Sequence, residues 1–173
     1  SPEFKKKDSK IDTVGFKNGV CDACRYFEIK KKIDWKNREK LLVELCDKFR
    51  KKDGSYDVIV PGSGGKDSFF VSHILKNKYK MNPLTVTWSP LLYTDIGLRN
   101  FEKWSKAGFD NVQFTPNKKI QSKLVKFAFL NLLNPFQPFI QGQRSIGAHF
   151  AKKYSINLIM YGENQAEAHN KLE

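Results

Sequence analysis

The sequence predicts an α/β fold in which helices cover both faces of a parallel β-sheet. Short apolar runs alternate with longer segments of helical periodicity, and short connections join them. A glycine-rich turn at residues 62–65 follows the apolar run 57–61 directly and precedes a helical pattern. With 40% hydrophobic and 13% aromatic residues in a length of 173, the chain can form one globular domain with an ordinary core.

Local patterns place each element in order. Asp34 is an N-cap for a helix that extends to Lys52 and ends at Asp53-Gly54, with its apolar residues on one face. The elements that follow are a strand at 57–61, a helix at 67–80, a strand at 84–88, a helix at 97–107, a strand at 111–114, helices at 117–132 and 143–154, and a strand at 157–161. Right-handed crossovers place the loop after each strand at the carboxyl edge of the sheet, which is the predicted functional site.

Residues 62–68, Gly-Ser-Gly-Gly-Lys-Asp-Ser, have the composition of an anion-binding loop. Glycines let backbone N–H groups converge, and the positive end of the following helix attracts phosphate. The loop is not a Walker A motif, because Val60 and Asp67 stand where that motif needs a glycine and a hydroxyl residue. It also lacks the third glycine of the dinucleotide-binding fingerprint. The pattern indicates a phosphate-binding loop, with a plain strand-to-helix turn as the alternative.

The segment Ser-Gly-Gly-Lys-Asp-Ser at 63–68 resembles the PP-loop of the ATP pyrophosphatases. This resemblance implies a Rossmann-type fold like that of the adenine nucleotide alpha hydrolases. It also implies that ATP adenylates a substrate oxygen, that pyrophosphate leaves, and that a nitrogen or sulfur nucleophile displaces AMP. Further motifs, in order along the chain, are similar to those of the N-acetyl sugar amidotransferase family. They lie at 19–24, 86–90, 93–97, 109–112, 134–139 and 161–167.

Resemblance to this family implies a specific reaction on a bacterial surface sugar. The acetamido group of a lipopolysaccharide O-antigen or flagellin-glycan sugar becomes an acetamidino group through an O-adenylyl imidate and ammonia. ATP is needed because an amide carbonyl is a poor electrophile whose oxygen is a poor leaving group. The resemblance also implies that ammonia comes from a partner pair similar to the glutaminase and cyclase subunits of histidine biosynthesis.

The same resemblance assigns residues to three parts of a site. The loop backbone would hold the β- and γ-phosphates, Asp67 would position Mg²⁺, and Thr87 and Trp88 would border the adenosine. The residues implied for ATP binding are Gly62, Ser63, Gly64, Gly65, Lys66, Asp67, Ser68, Thr87 and Trp88. Those implied for the sugar are Tyr93, Asp95, Gln143 and Arg144. The implied catalytic residues are Lys66, Asp67, Glu163 and Asn164.

Cysteine spacing indicates one pair of metal ligands. Cys21 and Cys24 have the Cys-x-x-Cys spacing of a zinc site, but one pair cannot close a tetrahedral site. Members of the family usually carry a second such pair upstream, where this chain is rich in lysine. A disulfide between the two is disfavoured in a reducing cytosol, so the pair is either half of a Zn²⁺ site or a remnant of one. Cys46 is expected in the core, and His73 and His149 are expected to have no catalytic role.

The formal net charge of +13 raises the question of a nucleic-acid partner. Much of the excess lies in short lysine clusters typical of solvated helix faces, and no basic motif with interleaved aromatic residues is present. A solvated surface is therefore favoured over RNA binding. The alternative functions are a PP-loop tRNA sulfur-transfer enzyme, which would use the basic charge, and a non-catalytic ATP-binding subunit of an assembly.

Three regions are expected along the chain. Residues 1–4 resemble vector-derived sequence, residues 5–33 form a lysine-rich segment with the cysteine pair, and residues 34–173 form the ATP-binding domain. The family resemblance implies that this domain is incomplete at its C-terminus. No apolar run approaches the roughly 20 residues of a membrane span, and no secretory signal is visible, so a cytoplasmic protein is expected.

Overall fold

The computed structural model describes residues 15–163 of the chain. Within this range, residues 15–40 belong to one compact unit and Leu41–Glu163 to a second. The predictions for residues 1–14 and 164–173 lie outside the described residues. In the described part, no helix is both long and apolar enough to cross a membrane.

The described part of the first unit contains a β-hairpin that the sequence interpretation missed. Strand β1 (Phe16–Lys17) pairs antiparallel with β2 (Val20–Cys21). The two connecting residues, Asn18 and Gly19, have φ of 54° and 76°, the left-handed conformation that tight hairpin turns require. Helix α1 (Asp22–Lys31) follows, and it was not predicted either.

Helix α2 (Trp35–Phe49) confirms the predicted helix and its N-cap. The Asp34 carboxylate accepts a hydrogen bond of 2.9 Å from the backbone N–H of Asn37. The helix ends three residues before the predicted boundary at Lys52, a normal difference for a helix terminus.

The second unit contains a three-stranded parallel sheet in the order β3-β4-β5. The predicted α/β class with a parallel sheet is confirmed. Its elements are β3 (Val58–Pro61), α3 (Lys66–Asn77), β4 (Pro83–Trp88), α4 (Asp95–Ser105), β5 (Asp110–Phe114), α5 (Lys118–Leu132) and α6 (Gln137–Lys153).

Helices cover both faces of this sheet, as the pattern predicts. On one face, Val58 and Val60 pack with Trp104 of α4 and Leu75 of α3. On the other face, Ile59, Leu84 and Val86 pack with Ile146 and Phe150 of α6. Strand β3 is buried along its whole length because it is covered from both sides, which explains its continuous apolar sequence.

The predicted fourth strand at 157–161 is reduced to one parallel bridge between Ile59 and Ile159. The N–H of Ile59 donates to the carbonyl of Leu158, and the N–H of Met160 donates to the carbonyl of Ile59, each at 2.9 Å. Among residues 15–163, the pairing of this segment with a strand does not extend beyond these two bonds. The bridge nevertheless places it beside β3, on the side opposite β4.

Helix α6 begins six residues earlier than the predicted start at 143. The prediction placed no helix at residues 133–142, but Pro138 lies in the first turn of α6. N–H groups of the first turn have no partner within the helix, so the missing N–H of proline costs no hydrogen bond there.

Candidate functional site

The loop between β3 and α3 is packed so closely that two of its glycines cannot carry a side chain. Gly64 has φ +80, and an added Cβ would lie 2.8 Å from the carbonyl oxygen of Asn100. A Cβ on Gly62 would collide with the side chain of Ser68. Glycine is therefore required at positions 62 and 64 by the close approach of the loop to α3 and α4.

The N–H groups in the first turn of α3, which have no partner within the helix, lie at the end of this loop. Gly65 is the N-cap and has no side chain to accept a hydrogen bond, and the first helical bond runs from the N–H of Phe69 to the carbonyl of Gly65. Such a helix end presents donors and a positive dipole to an anion. The Ser68 hydroxyl lies 3.2 Å from the Gly65 carbonyl and donates to it, so this hydroxyl stabilises the helix start.

Lys66 and Asp67 are both exposed at the start of α3. The Lys66 ammonium lies 2.8 Å from the Asp67 carboxylate, and the side chains are 89% and 51% exposed. Ion pairs between exposed neighbours contribute little, so these two side chains can reorient towards other charges at low cost. The ammonium can pair with phosphate, and the carboxylate can bind a divalent cation.

Glu163 reaches the same loop through the segment that follows the bridge at Ile159. A Cβ on Gly162 would lie 2.7 Å from the carbonyl carbon of Asp67, so the backbones of the two segments are in direct contact. Glu163 follows immediately and is exposed. The structure therefore brings Glu163 to the edge that carries Lys66 and Asp67. Asn164 lies outside the described residues.

Helix α6 places Gln143 and Arg144 at this edge as well. A Cβ on Gly147 would lie 2.7 Å from the ring of Pro61, the last residue of β3. The Tyr161 hydroxyl donates to the Arg144 carbonyl at 3.3 Å. The side chains of Gln143 and Arg144 are exposed. Their position is compatible with contact to a ligand at the carboxyl end of β3.

Thr87 and Trp88, predicted to border adenosine, have different surroundings. Thr87 is buried, and its hydroxyl accepts a hydrogen bond of 3.2 Å from the amide of Asn111. Trp88 stacks on Phe114 with ring centroids 5.0 Å apart. The indole N–H of Trp88 is buried and has no acceptor among the described residues. Of the two side chains, that of Thr87 has a hydrogen-bond partner in the sheet, and that of Trp88 has none among the described residues.

Tyr93 and Asp95, predicted for the substrate side, lie after β4 and at the start of α4. The Tyr93 hydroxyl accepts a hydrogen bond of 2.9 Å from the amide nitrogen of Gln113. Asp95 is exposed in the first turn of α4, whose N-cap Thr94 accepts a hydrogen bond from the N–H of Gly97. The structure places both residues at the carboxyl edge.

Sequence reasoning missed a polar ladder that joins β4 to β5. Its members alternate along each strand and share one face of the sheet. They are Thr85, Thr87 and Ser89 on the β4 side and Asn111, Gln113 and Thr115 on the β5 side. The signal that could have revealed it is the polar residue at every second position of both strands, since buried polar side chains in adjacent strands need each other as partners.

Comparison with known proteins gives partial matches, and no protein-family model matches the chain. Over 67 residues the chain is 36% identical to an uncharacterized protein of Methanocaldococcus jannaschii, a match that covers 39% of this chain and 24% of that protein. It is also similar to the crystal structure of a predicted subunit of tRNA methyltransferase from the same organism, with a TM-score of 0.46 and 26% identity. That match covers 69% of this chain and 58% of the other. The chain therefore spans about a quarter of the matched relative and somewhat over half of the matched structure.

The cysteine pair lies in the first unit, at the junction of β2 and α1. Cys21 is the N-cap of α1 and Cys24 lies in its first turn. Hydrogen bonds from the backbone N–H and then the thiol of Cys24 lower the pKa of Cys21, and the same thiol contact raises the pKa of Cys24. Within residues 15–163 these two do not join a third cysteine, histidine or carboxylate in a metal-binding group. The zinc interpretation stays a prediction.

Cys46 lies in the core, as the sequence interpretation expected, and the two described histidines lie on helices. Cys46 is fully buried in the core, and burial raises the pKa of its thiol. His73 is exposed on α3 and pairs with the amide of Asn77 at 3.0 Å. His149 is exposed on α6 with its ring against Phe150. None of the three lies at the carboxyl edge.

Proposed function

We propose that residues 62–68 bind the phosphates of Mg-ATP, and that the chain is the ATP-binding part of a PP-loop enzyme that forms AMP and pyrophosphate. The observation that supports this most is the position of the loop. The chain passes from β3 to β4 and β5 on one side and returns at Ile159 on the other side of β3. In open α/β sheets, ligands bind at the carboxyl ends of strands where the chain order reverses in this way.

The packing around the loop supports the binding of an extended polyanion. Gly62, Gly64 and Gly162 each lack room for a Cβ, and Gly64 and Gly162 lie against the backbones of α4 and of the start of α3. Close backbone approach lets several N–H groups reach one phosphate, as in other glycine-rich phosphate sites. In this proposal Lys66 pairs with the phosphates, and Asp67 and Glu163 hold the magnesium ion that accompanies ATP.

We further propose that the second substrate is an N-acetyl sugar of a bacterial surface polysaccharide or flagellin glycan. The family resemblance supports this, and so does the position of the polar side chains of Tyr93, Asp95, Gln143 and Arg144 at the same edge of the sheet. The acetamido oxygen attacks the α-phosphorus of ATP, and pyrophosphate leaves. Ammonia then adds to the carbon, and AMP leaves with the former amide oxygen. The ammonia-supplying partners would be the glutaminase and cyclase-like subunits.

A PP-loop tRNA sulfur-transfer enzyme is the second candidate, and the distribution of charge favours it. Residues 111–162 contain no aspartate or glutamate. Their basic residues are Lys118, Lys119, Lys123, Lys126, Arg144, Lys152 and Lys153. A surface of this kind attracts the phosphates of RNA whatever their sequence, and such binding weakens steeply as salt rises.

One experiment separates the two functions. The protein is incubated with ATP, Mg²⁺ and ammonium, with either an N-acetyl sugar or tRNA, and AMP is measured. The proposal predicts AMP and pyrophosphate only with the sugar, and a sugar product lighter by about one mass unit because oxygen is exchanged for NH at the positioned carbon. AMP release that depends on tRNA, with salt-resistant tRNA binding and no reaction on acetamido sugars, would favour sulfur transfer.

A further inference from the structure

A hydrogen-bonded chain connects the interior of the sheet to Tyr93 at the carboxyl edge. The amide nitrogen of Gln113, on β5, donates to the hydroxyl of Ser89 at 2.8 Å and to the hydroxyl of Tyr93 at 2.9 Å. Ser89 is 3% exposed, and its hydroxyl lies 3.2 Å from that of Thr115. One end of this chain is therefore fixed inside the protein, while Gln113 itself is exposed.

The hydrogen-bonding capacity of these groups determines where the Tyr93 proton points. A side-chain amide nitrogen has two hydrogens and accepts no hydrogen bond, and here both hydrogens are used by Ser89 and Tyr93. The phenol oxygen of Tyr93 accepts one of them, so its own proton cannot be donated to that nitrogen. Gln113 therefore directs the O–H of Tyr93 away from the strand.

The Tyr93 ring and the phosphate loop both lie against Phe101 of α4. The centroid of the Tyr93 ring is 6.3 Å from that of the Phe101 ring. A Cβ on Gly64 would lie 2.9 Å from Cα of the same Phe101. Tyr93 and Gly64 thus share a neighbour on α4. This shared contact with Phe101 is the basis for relating the Tyr93 hydroxyl to a substrate bound beside the ATP phosphates.

We propose that Gln113 is a positioning residue for substrate binding, and that it presents the Tyr93 hydroxyl as a hydrogen-bond donor to an oxygen of a neutral, hydroxyl-rich substrate. This inference rests on the proposed function, because it concerns the sugar side of that site. It adds a residue that none of the sequence motifs contains. Gln113 acts through Tyr93 and does not itself contact the reacting atoms.

Gln113→Glu tests the direction of the hydrogen bond without removing it. A carboxylate of the same length can still bridge Ser89 and Tyr93, but it only accepts hydrogen bonds. The Tyr93 hydroxyl then donates its proton to residue 113 and no longer offers it to the substrate. We expect the KM for the acetamido sugar to rise about tenfold, the loss expected for one hydrogen bond, while kcat and the KM for ATP stay within about twofold. Tyr93→Phe should give the same rise, and the double variant should add nothing further. Asn131→Asp, the same charge change on α5, should leave every constant unchanged.

Gln113→Met is a second test, because it removes the hydrogen bonds to both Ser89 and Tyr93. It should also raise the KM for the sugar, and an unchanged KM for ATP will show that it folds. A parental KM for the sugar in Gln113→Glu, or an equal rise in the KM for ATP, would assign Gln113 a structural role and overturn the proposal. These variants are compared only after the parent has shown sugar-dependent AMP formation. If the parent forms no AMP with the sugar, the proposed function is overturned, and this inference is overturned with it, whatever the variants do.

Discussion

Replacing Gly64 by alanine measures how tightly the loop after β3 is packed against α4. A Cβ at this position would lie 2.8 Å from the carbonyl oxygen of Asn100 and 2.9 Å from Cα of Phe101. Both are backbone atoms within a helix, so neither can move aside as the tip of a side chain can. The position also has φ +80, which residues with a Cβ rarely adopt.

Two costs add in this variant. Placing an L-residue in the left-handed region costs about 1–2 kcal/mol. Forcing an extra carbon into a packed contact costs about 1–3 kcal/mol. We therefore expect Gly64→Ala to lower the free energy of unfolding by about 2–5 kcal/mol. Gly54→Ala is a matched control, because Gly54 has φ +78 and nothing within 4 Å of the added Cβ.

Urea unfolding of the parent and both variants, followed by tryptophan fluorescence, gives the two differences in free energy. Gly54→Ala should show only the backbone cost of about 1–2 kcal/mol, and Gly64→Ala should show the larger loss. Equal losses in the two variants would refute the reasoning, since they would mean that α4 does not press against the loop. A separate ATP titration of folded Gly64→Ala should show weakened binding.

Two further predictions concern stability. Ser72→Ala should cost about 1–3 kcal/mol in urea unfolding, because it leaves the buried indole N–H of Trp104 without its 2.8 Å acceptor. Ser105→Ala is its control and should be near neutral, since the buried Ser105 hydroxyl has no partner among the described residues. The hydrogen bond from Tyr56 to Asp110 raises the pKa of Tyr56. The stability that this hydrogen bond gives the folded state is therefore fully present below the unfolded-state pKa of about 10, and it is lost as pH rises through the folded-state pKa. In the parent the urea midpoint should fall at alkaline pH, and Tyr56→Phe should reduce this fall. An equal fall in parent and variant would refute the attribution to Tyr56.

Features decided by neighbouring residues were predictable from the sequence. The N-cap at Asp34, the buried strand at Val58–Pro61 and the turn at 62–65 each depend on a few adjacent residues. The hairpin at Asn18-Gly19 was equally local, and its turn signal was overlooked. The start of α6 was predicted six residues too late, and Pro138 lies in the first turn that was missed, where a helix tolerates proline.

Features that depend on distant residues were not predictable in the same way. The segment at Ile159 forms a single bridge to Ile59. The length of its pairing is set by the position of β3, which is about 100 residues earlier in the chain. The contact of Gln113 with Tyr93 joins residues 20 positions apart, and that with Ser89 joins residues 24 apart. Such contacts follow from the register of β4 against β5, which the pattern of either strand alone does not fix.

Calorimetric titration with Mg-ATP tests the central claim, that residues 62–68 hold the phosphates, most directly. Parent protein, Lys66→Ala and Asp67→Ala are compared with Lys123→Ala, which removes one exposed charge on α5. The account predicts that the parent and Lys123→Ala bind alike, and that each loop variant binds at least about tenfold more weakly, as expected for the loss of a hydrogen bond to a charged group. Folded Lys66→Ala and Asp67→Ala that bind Mg-ATP as tightly as the parent would contradict it.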